Sequence, residues 1–281
     1  VRLEAFFTIE TGRIMQQNKI TTINEEEMSL FLNYLSDKAS EISLKYFRSN
    51  FTINNKSTDI FNPVTNVDIE IEKLLRSEIK KKYPDFGVLG EEIKSTSDLS
   101  DIHFVIDPID GTKAFIAGVP VWTTLIALNN GEIPIMGIAD QPYICERYIG
   151  SPKGSFLIRN GNARKITSKD NKDLKDAVLS CTDPTMFEND DLDVFLKLRR
   201  KVSYSRYGLD ALSYCLLASG HIDLIVETNI EPYDIQALIP IIKASNGYIS
   251  TWNNDDPSNG GKIIAACSEE LFLHAQEILI S

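Results

Sequence analysis

The stretch that most constrains this chain is an apolar run that ends in a cluster of polar residues. Phe104–Ile106 predicts a buried strand, and Asp107–Thr112, which follows it, contains two aspartates, a proline, a glycine and a threonine. Pro108 fixes φ at the turn, and Gly111 lets the backbone approach a ligand closely. A helix beginning at Thr112 would present free N–H groups to an anion. The pattern thus predicts oxygen ligands for a hard cation such as Mg2+ beside a phosphate-sized anion site.

The same residues also fit a simpler interpretation, a polar turn in which Asp110 caps the following helix. Short motifs occur by chance, so the other carboxylates of the chain are needed to decide between the two. Pro63–Asp68 lies at the head of an amphipathic helical pattern, and Gly90–Glu92 precedes a polar loop. Glu231–Asp234 opens another helical pattern far downstream.

These four segments, in this order, resemble the inositol monophosphatase family of Mg2+-dependent, lithium-sensitive phosphatases. The family pattern D-P-x-D-G-T is matched by Asp107–Thr112, and the pattern G-E-E by Gly90–Glu92. V-T-x-x-D is matched by Val64–Asp68, and the late helical aspartate by Asp234. The resemblance runs from about Asn24 to the C-terminus. It implies a mixed α+β or α/β fold, the layered αβαβα sandwich of this family.

The resemblance further implies metal ligands, with two to three Mg2+ ions per site. One ion is expected on Glu91, Asp107 and the backbone carbonyl of Ile109. A second is expected on Asp107, Asp110 and Asp234, so that the first aspartate bridges the pair. A third, weaker ion is expected to contact Glu91.

Catalytic roles also follow from the resemblance, which implies attack by a metal-activated water without a phosphoenzyme. Glu91 and Thr112 are expected to orient the water, and Asp68 to act nearby through a contact with Thr112. The backbone amides of Gly111 and Thr112 are expected to bind phosphate oxygens. Helix capping is a second interpretation of Asp68 and of Asp234, and both roles can coexist because a carboxylate has two oxygens.

Two features point to one branch of the family. Tyr233 stands where the family usually has Trp, and Pro232–Asp234 with the residues after it resembles the histidinol-phosphate phosphatases. Asp210 replaces the small residue typical of inositol-specific members, and a carboxylate suits the ammonium group of histidinol phosphate. Capping of the helix Ala211–Ser219 remains an alternative role for Asp210. The residues expected to contact the substrate beyond its phosphate are Arg206, Gly208, Asp210 and Glu227.

Composition excludes several other classes of protein. The 281 residues are 43% hydrophobic, enough for a large core. Forty acidic against 29 basic residues give a formal charge of −11, which disfavours sequence-independent nucleic-acid binding, although this balance also serves solubility. The four cysteines and three histidines lack metal-ligand spacing, and the cysteines are expected to be reduced and mostly buried.

The chain is expected to be a cytoplasmic protein, and the resemblance implies a homodimer. Val1–Ile20 is too interrupted by charges for a secretory signal, and no apolar run has the length of a membrane span. The predicted division is an N-terminal extension over residues 1–23, an α+β half over 24–175 with most metal ligands, and an α/β half over 176–281. The last half is expected to carry the final metal ligand and the residues that select the substrate.

Periodicity and turn residues predict most of the elements. Asn24 is a candidate N-cap with Glu27 as its capping-box partner, and a meander of antiparallel strands is predicted from Ile102 to Ile158. Pro240 is expected to bend a helix over Asp234–Asn246. The strands predicted after the meander are Ala177–Cys181, Asp223–Glu227 and Lys262–Ala266. The other helices predicted there are Asp190–Arg200, Asp210–Ser219 and Ser268–Ile280.

The sequence therefore predicts a Mg2+-dependent phosphomonoesterase that acts on a small phosphorylated substrate, most specifically histidinol phosphate. Inositol 1-phosphate or another sugar phosphate is the alternative within the same class. A regulatory binding protein of the transcription machinery is the alternative from a different class, because some members of the resembled family act in that way. The complete set of carboxylates favours the enzyme.

Overall fold

The computed structural model describes residues 24–56, 63–95, 99 and 101–281, so the extension predicted over residues 1–23 lies outside it. The described helices are α1 (Glu25–Tyr46), α2 (Asn66–Lys82), α3 (Thr112–Ile116), α4 (Asp190–Arg199), α5 (Leu212–Ala218), α6 (Pro232–Ile235), α7 (Leu238–Ala244) and α8 (Glu269–Leu279). The described strands are β1 (Ile53–Asn55), β2 (Pro63–Thr65), β3 (Gly87–Gly90), β4 (His103–Asp110), β5 (Thr123–Asn129), β6 (Pro134–Gln141), β7 (Glu146–Ser151), β8 (Gly154–Arg159), β9 (Asn162–Ile166), β10 (Val178–Cys181), β11 (Tyr204–Tyr207), β12 (Leu224–Ile230), β13 (Tyr248–Thr251) and β14 (Gly261–Ala266).

Two mixed sheets form the frame of the molecule. The larger sheet has the order β3-β4-β5-β6-β7-β8-β9, in which β3 and β4 are parallel and every other neighbouring pair is antiparallel. The smaller sheet has the order β11-β10-β12-β14-β13, with β11, β10 and β12 parallel. The predicted meander is therefore confirmed.

Helices cover both sheets and give the five layers of the predicted αβαβα sandwich. Helices α1 and α2 pack together against β4, β5 and β6 of the larger sheet. Helices α5 and α7 pack together between the sheets, where α7 contacts β6 and β7 on one side and β13 on the other. Helices α4 and α8 pack together beside β14.

The apolar run Phe104–Ile106 lies in β4, and both faces of that strand are buried. Phe104 and Ile106 belong to the core beneath α1 and α2, whereas Val105 belongs to the core between the sheets. A strand buried on both faces has a continuous apolar run and not an alternating one. This is why the stretch before Asp107 is apolar throughout, and why the carboxylates emerge from the interior of the molecule.

The helix predicted over Asp234–Asn246 is interrupted earlier than expected. It divides into α6 and α7 at Gln236–Ala237, while Pro240 lies inside α7. Proline has no N–H, so the Gln236 carbonyl cannot accept the helical hydrogen bond from position 240. The discontinuity falls one turn before the proline for that reason.

Short edge strands were not predicted by the sequence patterns. β11 and β13 are four residues each and form the two edges of the smaller sheet. Strands this short show little alternation of apolar and polar residues. No helix among the described residues combines the length and the apolar character needed to span a membrane.

Candidate active site

A β-bulge at the end of β4 places two aspartates in one cavity. The register with β5 pairs Asp107 with Leu125 and Asp110 with Thr123, and shifts between these pairs. The Thr124 hydroxyl donates to the carbonyl of Pro108 at 2.8 Å and fixes the bulged segment. Bulges of this kind re-aim side chains near functional sites.

Gly111 follows the bulge and turns the chain into α3. Its φ of +80° lies in the left-handed region, which glycine adopts without a steric cost. A Cβ at this position would lie 3.0 Å from Oδ2 of Asp210, so a larger residue would displace that carboxylate. Helix α3 begins at Thr112, as predicted.

The short helix α6 brings a third carboxylate to the same place. Oxygens of Asp107, Asp110 and Asp234 all lie within 4.8 Å of one another. The Asp234 side chain also accepts the Glu231 amide at 2.9 Å as part of a capping box. The two interpretations of Asp234, helix cap and member of the acidic cluster, therefore hold together.

Asp68 is fully buried at the start of α2. Its Oδ2 accepts hydrogen bonds from the backbone amide and the hydroxyl of Thr65, which completes the capping box there. Its Oδ1 has no hydrogen-bond partner among the described residues. Burial is the main reason that the pKa of Asp68 is raised to about 6.

Glu91 follows β3 and contacts a cationic side chain. The Lys56 ammonium donates to Oε1 of Glu91 at 2.8 Å and to Oε1 of Glu92 at 2.7 Å. The Glu91 amide donates to the carbonyl of Ile106 and continues the pairing of β3 with β4. Because Gly90 pairs with Ile106, Glu91 is placed beside Asp107 at the ends of the parallel strands β3 and β4.

Two further carboxylates line the cavity from the second half of the chain. Asp210 lies before α5 with a φ of +47°, and Glu227 lies buried on β12. Glu227 accepts hydrogen bonds from the Thr182 amide, the Thr182 hydroxyl and the Tyr214 hydroxyl. Among the described residues, the cavity of about 190 Å³ is lined by Glu91, Asp107, Ile109, Asp110, Gly111, Thr112, Thr182, Met186, Asp210, Ala211, Tyr214, Glu227, Ile230, Asp234, Ile235 and Leu238.

Asp210 does not cap helix α5 with its side chain. The N-cap of α5 is Ala211, with no side-chain cap, and the Asp210 backbone carbonyl accepts from Ser213. The Ala211 amide instead donates to Oδ2 of Asp110 at 2.7 Å. The capping alternative for Asp210 is therefore wrong, and its carboxylate lines the cavity.

The predicted contact between Thr112 and Asp68 is also absent from the structure. The Thr112 hydroxyl donates to the carbonyl of Ile109 at 3.0 Å, while Asp68 is held by Thr65. The two residues start different helices, and each bonds the nearest backbone group of its own turn. This corrects the contact and leaves Thr112 in the cavity lining.

The remaining predicted substrate residues lie outside the cavity lining. Arg206 is exposed on β11, with its guanidinium carbon 5.1 Å from the ring centroid of Tyr204. Gly208 is exposed, with its amide bonded to the carbonyl of Thr182. Sequence reasoning missed Thr182, Tyr214 and Met186, which carry no motif and reach the cavity only through the folding of the second sheet.

Burial of so many carboxylates raises their pKa values. Burial, followed by repulsion from neighbouring carboxylates, holds the pKa values of Asp107 and Asp110 well above their usual range. Burial likewise raises the pKa to about 8 for Asp234, to about 7 for Glu227 and to about 6 for Asp210. Like charges in one buried cavity repel unless a proton or a cation is present.

The match to known proteins agrees with this geometry. The model of the inositol monophosphatase family matches residues 24–280. The chain belongs to the inositol monophosphatase family. It is 39% identical over 222 residues to the bifunctional phosphatase IMPL2 of Arabidopsis thaliana, covering 78% of this chain and 63% of that relative, less than two thirds of its length. It is 29% identical to a histidinol-phosphatase of Mycobacterium tuberculosis, covering 82% of this chain and 90% of the relative.

The fold agrees with the same family. The structure of an inositol monophosphatase from Zymomonas mobilis superposes with a TM-score of 0.80 at 31% identity, covering 92% of this chain and all of that one. Members of the inositol monophosphatase family hydrolyse phosphate monoesters, and this chain is such a phosphatase. The family is metal-dependent, and the chain has the acidic cluster that such an enzyme needs.

The donor set fits a hard divalent cation. The candidate ligands are carboxylate oxygens, and hard cations prefer oxygen ligands. Ile109, whose carbonyl accepts from the Thr112 hydroxyl, also lines the cavity. The cluster of Asp107, Asp110 and Asp234 is compact enough for one ion to reach all three. Glu91 lies outside this compact cluster, and its Oε1 is paired with the Lys56 ammonium at 2.8 Å.

These raised pKa values predict how pH changes the stabilisation of the folded protein by a bound metal ion. In the unfolded chain Asp and Glu ionise near pH 4, whereas the folded carboxylates keep protons to about pH 6 to 8. Their contribution to the stability of the metal-free protein is thus present at low pH and lost as pH rises through that range. Mg2+ would replace the lost protons, so it should raise Tm by about 3–6 °C more at about pH 8 than at about pH 6.

Thermal unfolding with EDTA and with millimolar Mg2+ at the two pH values measures this difference. Subtracting the Tm in EDTA from the Tm in Mg2+ at each pH removes the contributions of surface groups, because those contributions do not depend on Mg2+. An Mg2+ shift that is the same at both pH values would contradict the prediction.

Proposed function

We propose that this phosphatase uses Mg2+ and that histidinol phosphate is its preferred substrate. The observation that carries the substrate proposal is the excess of negative charge in the cavity. Among the described residues, the lining carboxylates are Glu91, Asp107, Asp110, Asp210, Glu227 and Asp234. Two or three Mg2+ ions together with a phosphate dianion carry less positive charge than these six carboxylates need. A substrate with an ammonium group supplies part of the remainder, and an uncharged polyol does not.

The metal ligands are assigned as the family resemblance implies. Glu91, Asp107 and the Ile109 carbonyl would hold one Mg2+. Asp107, Asp110 and Asp234 would hold a second. The chemistry that Mg2+ supplies in such a site is neutralisation of the phosphate dianion and activation of water.

The chain's own groups would orient the reactants. The amides of Gly111 and Thr112 would donate to phosphate oxygens at the start of α3. Glu91 and Thr112 would hold the attacking water, and the Thr112 hydroxyl is already directed to the Ile109 carbonyl. Asp68 would support this end of the site through its unpaired Oδ1.

The substrate's ammonium group is assigned to Asp210. Glu227 already accepts three hydrogen bonds, so its capacity for a further donor is small. No hydrogen bond to the Asp210 carboxylate is found within the described parts of the chain, and this carboxylate lines the cavity. Met186 and Ile230 add an apolar part to the wall, which suits a carbon chain or a heterocycle better than a ring of hydroxyls.

A substrate panel tests this proposal. Phosphate release is measured with Mg2+ from histidinol phosphate, inositol 1-phosphate and a sugar monophosphate, and kcat/KM is compared. We expect the highest kcat/KM for histidinol phosphate. A higher value for inositol 1-phosphate would make that compound the substrate and would overturn the assignment of Asp210.

A further inference from the structure

An ion pair between the buried Glu72 and the partly buried Arg76 on α2 holds the segment that carries Glu91. Glu72 is fully buried, although its side chain lines no part of the cavity. Its Oε1 accepts from Nε of Arg76 at 2.7 Å, one helical turn along α2. A buried carboxylate needs such partners, because an uncompensated charge in the interior is costly.

The same carboxylate accepts two backbone amides that follow Glu91. Oε2 of Glu72 accepts from the Glu92 amide at 2.8 Å, and Oε1 accepts from the Ile93 amide at 3.2 Å. Arg76 completes the arrangement by donating to the carbonyl of Ile93 at 2.6 Å and to the carbonyl of Val88 at 3.2 Å. Backbone groups before and after Glu91 are thus bonded to one ion pair.

Gly90 shows how closely the segment approaches this pair. A Cβ at position 90 would lie 2.0 Å from Oε1 of Glu72 and 2.8 Å from a guanidinium nitrogen of Arg76. Any side chain at position 90 would therefore displace the Glu72 carboxylate. The glycine of the G-E-E pattern has a steric reason in this fold, and that reason is Glu72.

We propose that Glu72 is a positioning residue, which fixes the backbone of Glu91 and thereby sets the affinity of the site for a divalent cation. Glu72 touches neither substrate nor metal and acts through the amides of Glu92 and Ile93. This inference rests on the proposed function in one respect, the role of Glu91 as a metal ligand. Partners that orient metal ligands typically change metal affinity by about 10–100-fold when replaced.

Glu72→Gln tests the proposal, because glutamine keeps the size and removes the charge. The three donors around Glu72 are Nε of Arg76 and the amides of Glu92 and Ile93. The NH2 group of the glutamine would face at least one of them, and that donor would lose its acceptor. We expect the Kd for Mg2+, measured by isothermal titration calorimetry without substrate, to rise about 10–100-fold. We expect kcat at saturating Mg2+ to fall by less than about threefold, because excess metal compensates for weaker binding.

Glu78→Gln is the matched control on the same helix. The Glu78 carboxylate accepts hydrogen bonds from Lys81 and Tyr34 at the surface, and among the described residues neither bond involves the segment after β3. Its Kd for Mg2+ should equal that of the parent. If Glu72→Gln does not fold, Arg76→Gln replaces it, since it removes the bonds to Val88 and Ile93 and should raise the Kd for Mg2+ in the same direction.

The positioning role of Glu72 and the proposed metal site are contradicted by different outcomes. A folded Glu72→Gln variant with a lower Tm and an unchanged Kd for Mg2+ would reduce Glu72 to a purely structural role. A Glu91→Gln variant with an unchanged Kd for Mg2+ and unchanged phosphate release would instead show that the proposed metal site is wrong. The two failures are therefore distinguishable in the same set of titrations.

Discussion

Asp110→Asn is expected to lower kcat by about 100-fold or more at saturating Mg2+, with the fold intact. The substitution removes one negative charge from the cluster with Asp107 and Asp234. Loss of a metal-ligand charge removes several kcal/mol of transition-state stabilisation, and about 2.7 kcal/mol already corresponds to 100-fold in rate. The fold should survive, because an asparagine oxygen can still accept the Ala211 amide that now bonds Asp110.

The measurement is phosphate release under saturating Mg2+ and substrate, together with Tm for each variant. Asp173→Asn is the matched control, since Asp173 is exposed and its carboxylate lies 3.8 Å from the Lys175 ammonium, outside the cavity lining. The control should keep the parent rate. A folded Asp110→Asn variant that also kept the parent rate would show that Asp110 is not a metal ligand.

Asp210→Asn is expected to lower kcat/KM for histidinol phosphate by about 10–150-fold and to leave inositol 1-phosphate almost unaffected. The range corresponds to about 1.5–3 kcal/mol, the scale of a hydrogen bond to a charged group. The reason is that only histidinol phosphate offers an ammonium group to this carboxylate. The ratio of the two kcat/KM values, and not either one alone, is the informative quantity.

A structural role for Asp210 predicts a different result. The carboxylate lies close to Gly111, so a disturbed turn would impair phosphate binding for every substrate. Equal losses on both substrates, or a fall in Tm that accounts for the loss, would contradict the ammonium assignment. Asp183→Asn is a useful control, because Asp183 caps a nearby turn through the Thr185 amide and does not line the cavity.

Local patterns predicted most of the fold because each rests on a short stretch of chain. The N-cap at Asn24, the strand Phe104–Ile106 and the start of α3 at Thr112 all depend on neighbouring residues, and the structure has all three. A bend was predicted at Pro240, and the structure has the interruption one turn earlier, at Gln236–Ala237. Its position depends on which carbonyl loses its partner, and periodicity does not specify this.

The cavity was predicted in part, and the missing part is the one that depends on distant contacts. The acidic cluster follows from motifs, whereas Thr182 and Tyr214 reach Glu227 through strands and helices far apart in the sequence. The contact of Glu72 with the segment after β3 spans 20 residues and has no signature of its own. Arg206 and Gly208 were predicted from their order in the chain, and neither belongs to the cavity lining, although Gly208 bonds the lining residue Thr182.

The acidic cluster is expected to make this phosphatase dependent on a divalent cation. The most direct measurement is phosphate release from histidinol phosphate by protein stripped with EDTA, followed by titration with Mg2+. We expect almost no release from the stripped protein and full recovery as Mg2+ is added. Release by the stripped protein at the rate of the Mg2+-loaded protein would show that catalysis does not depend on a divalent cation.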